Sequence, residues 1–122
     1  MNRSTPFFES EVVQKCLEEI DFLQNCVMVF SQYADYATVE DQKENIQNLR
    51  LLLEKQRNMY SRCRLCGDDE GARDMMREVE QHFYSNGFPY AIGNMEEVFD
   101  KLDCNLDEIE ESIQQYLDTE EL

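Results

Sequence analysis

With 122 residues, the chain is long enough for one compact domain and cramped for two. Apolar residues make up 42% of it, and it has only four glycines and two prolines, so we expect an all-α protein rather than a disordered or turn-rich all-β one. Its 27 acidic and 11 basic side chains give a net charge of -16, which argues against direct binding of nucleic acid or anionic membranes and leaves basic proteins as partners.

The first predicted helix runs from about residue 8 to residue 33. Thr5 followed by Pro6 is a typical start, because threonine caps free amides and proline suits the first turn. Apolar residues then recur at steps of three and four, which places them on one face of a helix. That face consists of Phe8, Val12, Cys16, Leu17, Ile20, Leu23, Val27 and Phe30.

The second predicted helix spans about residues 39–64 and begins with a capping box made by Thr38 and Asp41. Its short link to the first helix indicates a long antiparallel helical hairpin over about residues 8–64. The apolar stripe of this helix contains Ile46, Leu49, Leu52, Leu53, Met59, Tyr60 and Cys63.

Two shorter helices are predicted next, over about residues 69–86 and 95–117, and a short acidic tail over 118–122. Gly87 and Pro89 end the first of them, and Asn94 begins the second. The predicted fold is therefore one all-α domain over residues 1–122 with four helices. The residues expected to point inward on the last two helices are Met75, Met76, Val79, Phe83, Met95, Val98, Leu102, Leu106, Ile109, Ile113, Tyr116 and Leu117.

Three blocks of sequence occur in a recognisable order: FFESEVVQ at 7–14, LLEKQRNMYSR at 52–62 and GFP at 87–89. Together they resemble a small helical family of cyanobacteria and their phages, the domain-of-unknown-function family 1825, and they are most similar to its phage members. The resemblance implies an all-helical fold and a cyanobacterial cytoplasm, and it implies no reaction. The chain departs from the family pattern at Cys63 and Cys66, where the family carries Ser, Thr or Leu.

The N-terminal residues lack the basic segment and apolar run of a secretory signal, and no apolar run approaches the roughly 20 residues needed to cross a bilayer. Five cysteines form an odd set, which indicates reduced thiols. We therefore expect a cytoplasmic protein.

Cys63 and Cys66 have the spacing of a zinc ligand pair, with His82 and Cys104 as conceivable further ligands. A second such pair is missing, and the sequence shows no strand-to-helix junction of the thioredoxin type. Phosphate-binding glycine loops and the Glu-x-x-His pairs of di-metal bundles are also missing. We therefore expect no enzyme, no cofactor and no metal, and we retain a zinc or redox role of Cys63 and Cys66 as an alternative.

Charge is unevenly distributed along the chain. Residues 94–122 carry one base and eleven acids, a net charge of 1 - 11 = -10, whereas residues 1–93 carry ten bases and sixteen acids, a net charge of -6. We expect the acids of the last helix to be exposed, rather than paired with the protein's own arginines, and to steer a basic partner. The predicted partner-binding residues are Glu96, Glu97, Asp100, Asp103, Asp107, Glu108, Glu110, Glu111, Tyr116, Leu117, Asp118, Glu120, Glu121 and Leu122.

These features predict an acidic accessory protein that binds a basic site on a host or phage machine. The first candidate is the transcription apparatus, with RNA polymerase or another nucleic-acid-binding machine as the partner. Two alternatives remain open beside the zinc or redox role. The acidic face could serve solubility alone, or the protein could have a structural or assembly role, forming a homo-oligomer through the helical hairpin.

Overall fold

The computed structural model describes residues 5–120, and this part of the chain is all helical, as predicted. Between these residues there is no strand, and none of the helices is both long and apolar enough to cross a membrane. A 3-10 turn over Ala34–Tyr36 joins the second helix to the third. The α-helices of this range are α1 (Pro6–Glu9), α2 (Glu11–Tyr33), α3 (Val39–Leu65), α4 (Glu70–Ser85) and α5 (Met95–Glu120).

Helix α3 is the central element of the fold, because α2, α4 and α5 all pack against it. It forms the predicted antiparallel hairpin with α2, where Lys55 Nζ lies 2.6 Å from a carboxylate oxygen of Glu19. Helix α4 runs back along the C-terminal half of α3, and the Tyr60 hydroxyl donates to Glu80 at 2.7 Å. The prediction of two shorter helices holds for α4, with 16 residues, but α5 has 26 and matches the hairpin helices in length.

The predicted first helix begins at Pro6 after Thr5, as predicted, but it is broken at Ser10 and the predicted cap by the Thr5 side chain is wrong. Ser10 has an extended backbone (φ -64, ψ 128), and its hydroxyl accepts the Val13 amide at 3.4 Å as the cap of α2. Thr5 makes no capping hydrogen bond; its hydroxyl donates to Asp69 at 2.7 Å. Because the helix restarts after Ser10, Val13 is buried and Val12, which was predicted to face inward, is exposed.

Two other helix ends follow their local sequence signals. The capping box before α3 is confirmed, with Thr38 and Asp41 exchanging two hydrogen bonds of 3.1 Å. After α4, Gly87 adopts a left-handed φ of 103°, which glycine tolerates without strain. The Phe88 amide donates to Phe83 O at 3.0 Å, and the two rings lie 5.9 Å apart. The predicted stop is therefore confirmed.

The core consists of two clusters on either side of α3. The first joins α1, α2, α3 and α4, and the second joins α3 to α5 and the loop before it. Met76 and Val79 of α4 pack against both clusters. Central buried members are Phe8, Leu23, Cys63 and Met75 in the first cluster, and Leu53, Tyr60, Met95, Val98, Phe99 and Leu106 in the second.

The inward face of α5 differs from the prediction at both ends of the helix. Phe99 is completely buried although it was not among the predicted core residues, whereas Ile109 and Tyr116 are exposed. The physical reason is that α4 covers only the C-terminal half of α3, while the second half of α5 lies along the N-terminal half, where Arg50 contacts Glu110. Within residues 5–120, no other helix buries Ile109 there.

Asp69 connects the N-terminus to α4. Its side chain accepts the Ala72 amide at 3.0 Å as the cap of α4, and it also accepts the Thr5 hydroxyl at 2.7 Å and the Phe7 amide at 3.0 Å. Desolvation raises the pKa of this carboxyl, but the hydrogen bonds from Thr5, Ala72 and Phe7 together hold it below its ordinary value of 3.8. The ionised form of Asp69 therefore stabilises the folded state.

We expect Asp69→Asn to be less stable than the parent protein at neutral pH, and we expect its stability to depend less on pH in the acidic range. Because the folded-state pKa lies below 3.8, the contribution of the carboxylate is complete above that pH and is lost as the pH falls through the folded-state value. Thermal unfolding at about pH 7 and about pH 3 measures both effects. The neighbouring exposed Asp68→Asn is the control, and equal losses in the two variants would contradict the assigned role.

Candidate functional site

The predicted partner-binding acids of α5 lie on two sides of the helix. Residues advance by about 100° per position in an α-helix, so Glu97, Glu108 and Glu111 share one side. Asp118 points in the same direction as Asp100, but it lies beyond Glu110, the last acid of α5 that pairs with an arginine. All of those named below are solvent-exposed. The inner acids, on the side that reaches the arginines of α3, are Glu96, Asp100, Asp103, Asp107 and Glu110, and the outer acids are Glu97, Glu108, Glu111 and Asp118.

Arg50 of α3 pairs with three inner acids. Its Nη2 lies 2.7 Å from both Asp107 and Glu110, its Nε donates to Glu110 at 3.2 Å, and its Nη1 lies 3.8 Å from Asp103. Hydrogen bonds to Asp107 and Glu110 raise the pKa of the guanidinium. Arg50 is therefore a fixed positive charge against the second half of α5.

Arg57, seven residues later on α3, repeats this arrangement at the start of α5. Its Nη2 lies 2.6 Å from Glu96 and 2.9 Å from Asp100, and its guanidinium carbon lies 5.8 Å from the ring centroid of Phe99. The flat cation thus covers a buried aromatic ring and contacts two carboxylates. The two arginines fix the register of α5 along α3.

The expectation that the acids of α5 are not paired with the protein's own arginines is wrong for the inner acids. Two guanidiniums face five carboxylates, so the inner side retains a charge of 2 - 5 = -3. These carboxylate side chains remain 48–68% exposed. Ion pairs as exposed as these contribute little to stability, so α5 is held mainly by its apolar side.

The outer acids have no cationic partner in the described part of the chain. No ion pair between residues 5 and 120 involves Glu97, Glu108, Glu111 or Asp118, and Asp118 accepts only the side-chain amide of Gln114, at 3.0 Å. Together with the net charge of -3 that remains on the inner side, the outer acids make α5 a strongly anionic surface.

The predicted docking segment at the C-terminus is a continuation of α5. Tyr116 is exposed, Leu117 is half-buried, and the helix runs through Glu120. The predictions for Glu121 and Leu122 lie outside the described residues.

Cys63 and Cys66 occupy different environments. Cys63 belongs to the first core cluster and is 1% exposed, whereas Cys66 is exposed at the end of α3. Burial raises the pKa of the Cys63 thiol to about 12, and the nearby Cys66 and Asp69 contribute to the rise. In the part of the chain that the structure describes, no three His, Cys, Asp or Glu side chains are placed to hold one metal ion.

Sequence reasoning did not single out Arg50 and Arg57 as partners of α5. The signal available was their spacing, because residues seven apart lie on one side of a helix and can meet a second helix along its length. The cross-helix register that pairs them with Glu96 and Glu110 arises only from tertiary packing.

The family model described as Domain of unknown function (DUF1825) matches residues 5–113. The chain belongs to this family. No curated protein and no solved structure matches it. The match to DUF1825 includes every inner acid and both arginines that pair with them.

The three DUF1825-like blocks have structural roles in this fold. The first forms α1, the Ser10 cap and the start of α2; the second lies in α3 and carries Lys55, Arg57 and Tyr60. The third ends α4 through Gly87 and Phe88. These parts of the DUF1825 sequence therefore account for packing and helix ends.

Proposed function

We propose that this protein is a non-enzymatic accessory protein that uses the anionic surface of α5 to bind a basic site on a larger protein machine. The observation that carries the proposal is that the acids along α5 remain exposed, even those that form ion pairs with Arg50 and Arg57. The surface consists of the inner and outer acids, and Tyr116 and Leu117 extend it.

The shape of α5 suits a long basic groove. A helix of 26 residues is about 39 Å long at 1.5 Å per residue. Carboxylates are spaced along two of its sides, and charge arranged in this way speeds encounter with an opposite surface and fixes orientation. The buried apolar side of α5 holds the helix in place, so the backbone that carries the acids does not have to become ordered when the partner binds.

The partner that best fits this surface is a protein that itself binds nucleic acid, since such proteins expose basic channels. The transcription apparatus, with RNA polymerase as its main enzyme, is the first candidate by analogy. We propose that this binding takes place in the cyanobacterial cytoplasm during phage infection. The charge that suits a basic protein disfavours nucleic acid and anionic membranes.

The test is direct binding of the purified protein to purified cyanobacterial RNA polymerase at low and high salt. We expect the affinity to fall at least about tenfold between about 0.05 M and about 0.5 M salt. We also expect about a tenfold loss at low salt when the four outer acids are replaced by their amides. Surface plasmon resonance measures both effects.

A second variant with the same change in net charge is the control. It replaces four exposed acids outside α5 and should bind like the parent protein. Affinity that does not depend on salt, or equal losses in the two variants, would contradict the role of α5; absence of binding would exclude RNA polymerase as the partner. The control substitutions are Glu9→Gln, Glu40→Gln, Glu54→Gln and Glu78→Gln.

A further inference from the structure

The outer side of the hairpin carries large apolar residues that no other helix in the described part of the chain covers. Phe22 is 67% exposed, and Val29, Tyr33 and Leu51 are also exposed. The three residues on α2 are separated by seven and four positions, the spacing of an apolar seam along one side of a helix. We call these four residues the hairpin patch.

Helix α4 lies on the opposite side of the hairpin. The cavity between α2, α3 and α4 is lined on α2 by Leu17, Ile20, Asp21 and Gln24, none of which belongs to the hairpin patch. The hairpin patch instead borders two shallow hollows along the seam between α2 and α3. No residue of α4 or α5 lines either hollow.

The two hollows differ in charge. The first contains Phe22 and Leu51, and its two lysines, Lys15 and Lys55, are balanced by Glu18 and Glu19. The second contains Val29 and Tyr33, and its charged residues are the acids Asp41 and Glu44. The hairpin side is therefore electrically balanced toward one end and acidic toward the other, in a chain whose net charge is -16.

We propose that the hairpin patch binds a second copy of this chain in an antiparallel, two-fold symmetric pair. Phe22 and Leu51 line the same hollow, so they lie at one level of the hairpin. Lys15 precedes Phe22 by seven residues and Glu44 precedes Leu51 by seven, on helices that run in opposite directions. A two-fold axis at the level of Phe22 brings Lys15 of one copy to the level of Glu44 in the other.

Self-association suits the hairpin side better than it suits the anionic surface of α5. Two copies of a strongly anionic chain repel each other unless the contact is locally balanced, and the first hollow carries two bases and two acids. The hairpin patch supplies the apolar surface that becomes buried on pairing. Lys15 and Glu44, which lie on either side of the two-fold axis, determine that the copies pair in the antiparallel direction.

This inference goes beyond the proposed binding role. The α5 surface lies outside the pair, so each pair would present two anionic helices. Amide replacement of the outer acids leaves the pair intact, so the two proposals fail independently.

Sedimentation equilibrium at about 100 µM protein is the first test. We expect a mass of 2 × 14.5 = 29 kDa for the parent chain and 14.5 kDa for Phe22→Ser. Phe22 is exposed, so the variant should retain its helical circular dichroism. The control is Ile92→Ser, 56% exposed in the loop before α5, which should remain paired. A monomeric parent, or an unchanged mass for Phe22→Ser, overturns the proposal.

Charge reversal tests the antiparallel arrangement. We expect Glu44→Lys to weaken the pair about tenfold, because it places a cation beside Lys15 of the other copy. Adding Lys15→Glu to the same chain should restore the parent affinity. Failure of the double variant to recover overturns the proposed arrangement.

Discussion

Replacing Phe99 by alanine is expected to lower the free energy of unfolding by about 3–5 kcal/mol. Phe99 is completely buried, and its ring lies 6.0 Å from that of Tyr60 on α3 and 6.4 Å from that of Phe83 on α4. Its removal leaves a cavity at the point where α5 meets both helices, below the guanidinium of Arg57. Domains of this size have a total free energy of unfolding of about 5–15 kcal/mol, so the variant would be only marginally stable.

Urea unfolding followed by circular dichroism measures this loss. The control is Ile109→Ala, on the same helix but exposed, which should change stability by less than about 1 kcal/mol. Phe99→Leu should lie between the two variants, because it retains most of the apolar volume. Similar losses at Phe99 and Ile109 would show that α5 is not anchored where the structure places it.

Cys63 is expected to react with N-ethylmaleimide about a thousand times more slowly than Cys66 at neutral pH. Burial raises its pKa to about 12 from an ordinary value of 9.0, so very little thiolate is present, and the thiol is 1% exposed. Reaction therefore requires opening of the first core cluster, whereas Cys66 reacts from the folded state.

Mass spectrometry of peptides after timed labelling gives the two rates. Labelling in denaturant is the control, because both thiols should then react at similar rates. Cys66→Ser identifies the fast site and should leave the slow rate of Cys63 unchanged. Fast labelling of Cys63 in the folded protein would instead favour the alternative in which Cys63 and Cys66 act together as a zinc or redox pair.

The fold was predictable wherever local sequence chemistry determines it. The capping box of Thr38 and Asp41 and the left-handed Gly87 depend only on nearby residues, and both are confirmed. The break at Ser10 was missed because Thr5 and Pro6 start a helix, α1, only a few residues earlier. The Thr5 hydroxyl instead bonds to Asp69, 64 residues away, a contact that no local pattern encodes.

The anionic character of α5 was predictable, but its division into inner and outer acids was not. The number of carboxylates is read directly from the sequence, and helical spacing indicates the direction in which each one points. Which side meets Arg50 and Arg57 depends on how α5 packs along α3, through Val98, Phe99 and Leu106. The same packing explains why Ile109, at an apolar position of the periodic pattern, remains exposed.

Met76 and Val79 pack against both core clusters, and this has a consequence for cooperativity. A helix that contributes to both clusters cannot leave one without weakening the other. The two sides of α3 are therefore not separate subdomains, although α2 and α5 have few contacts with each other. The domain should melt in one all-or-none transition, with α4 as the element that couples its halves.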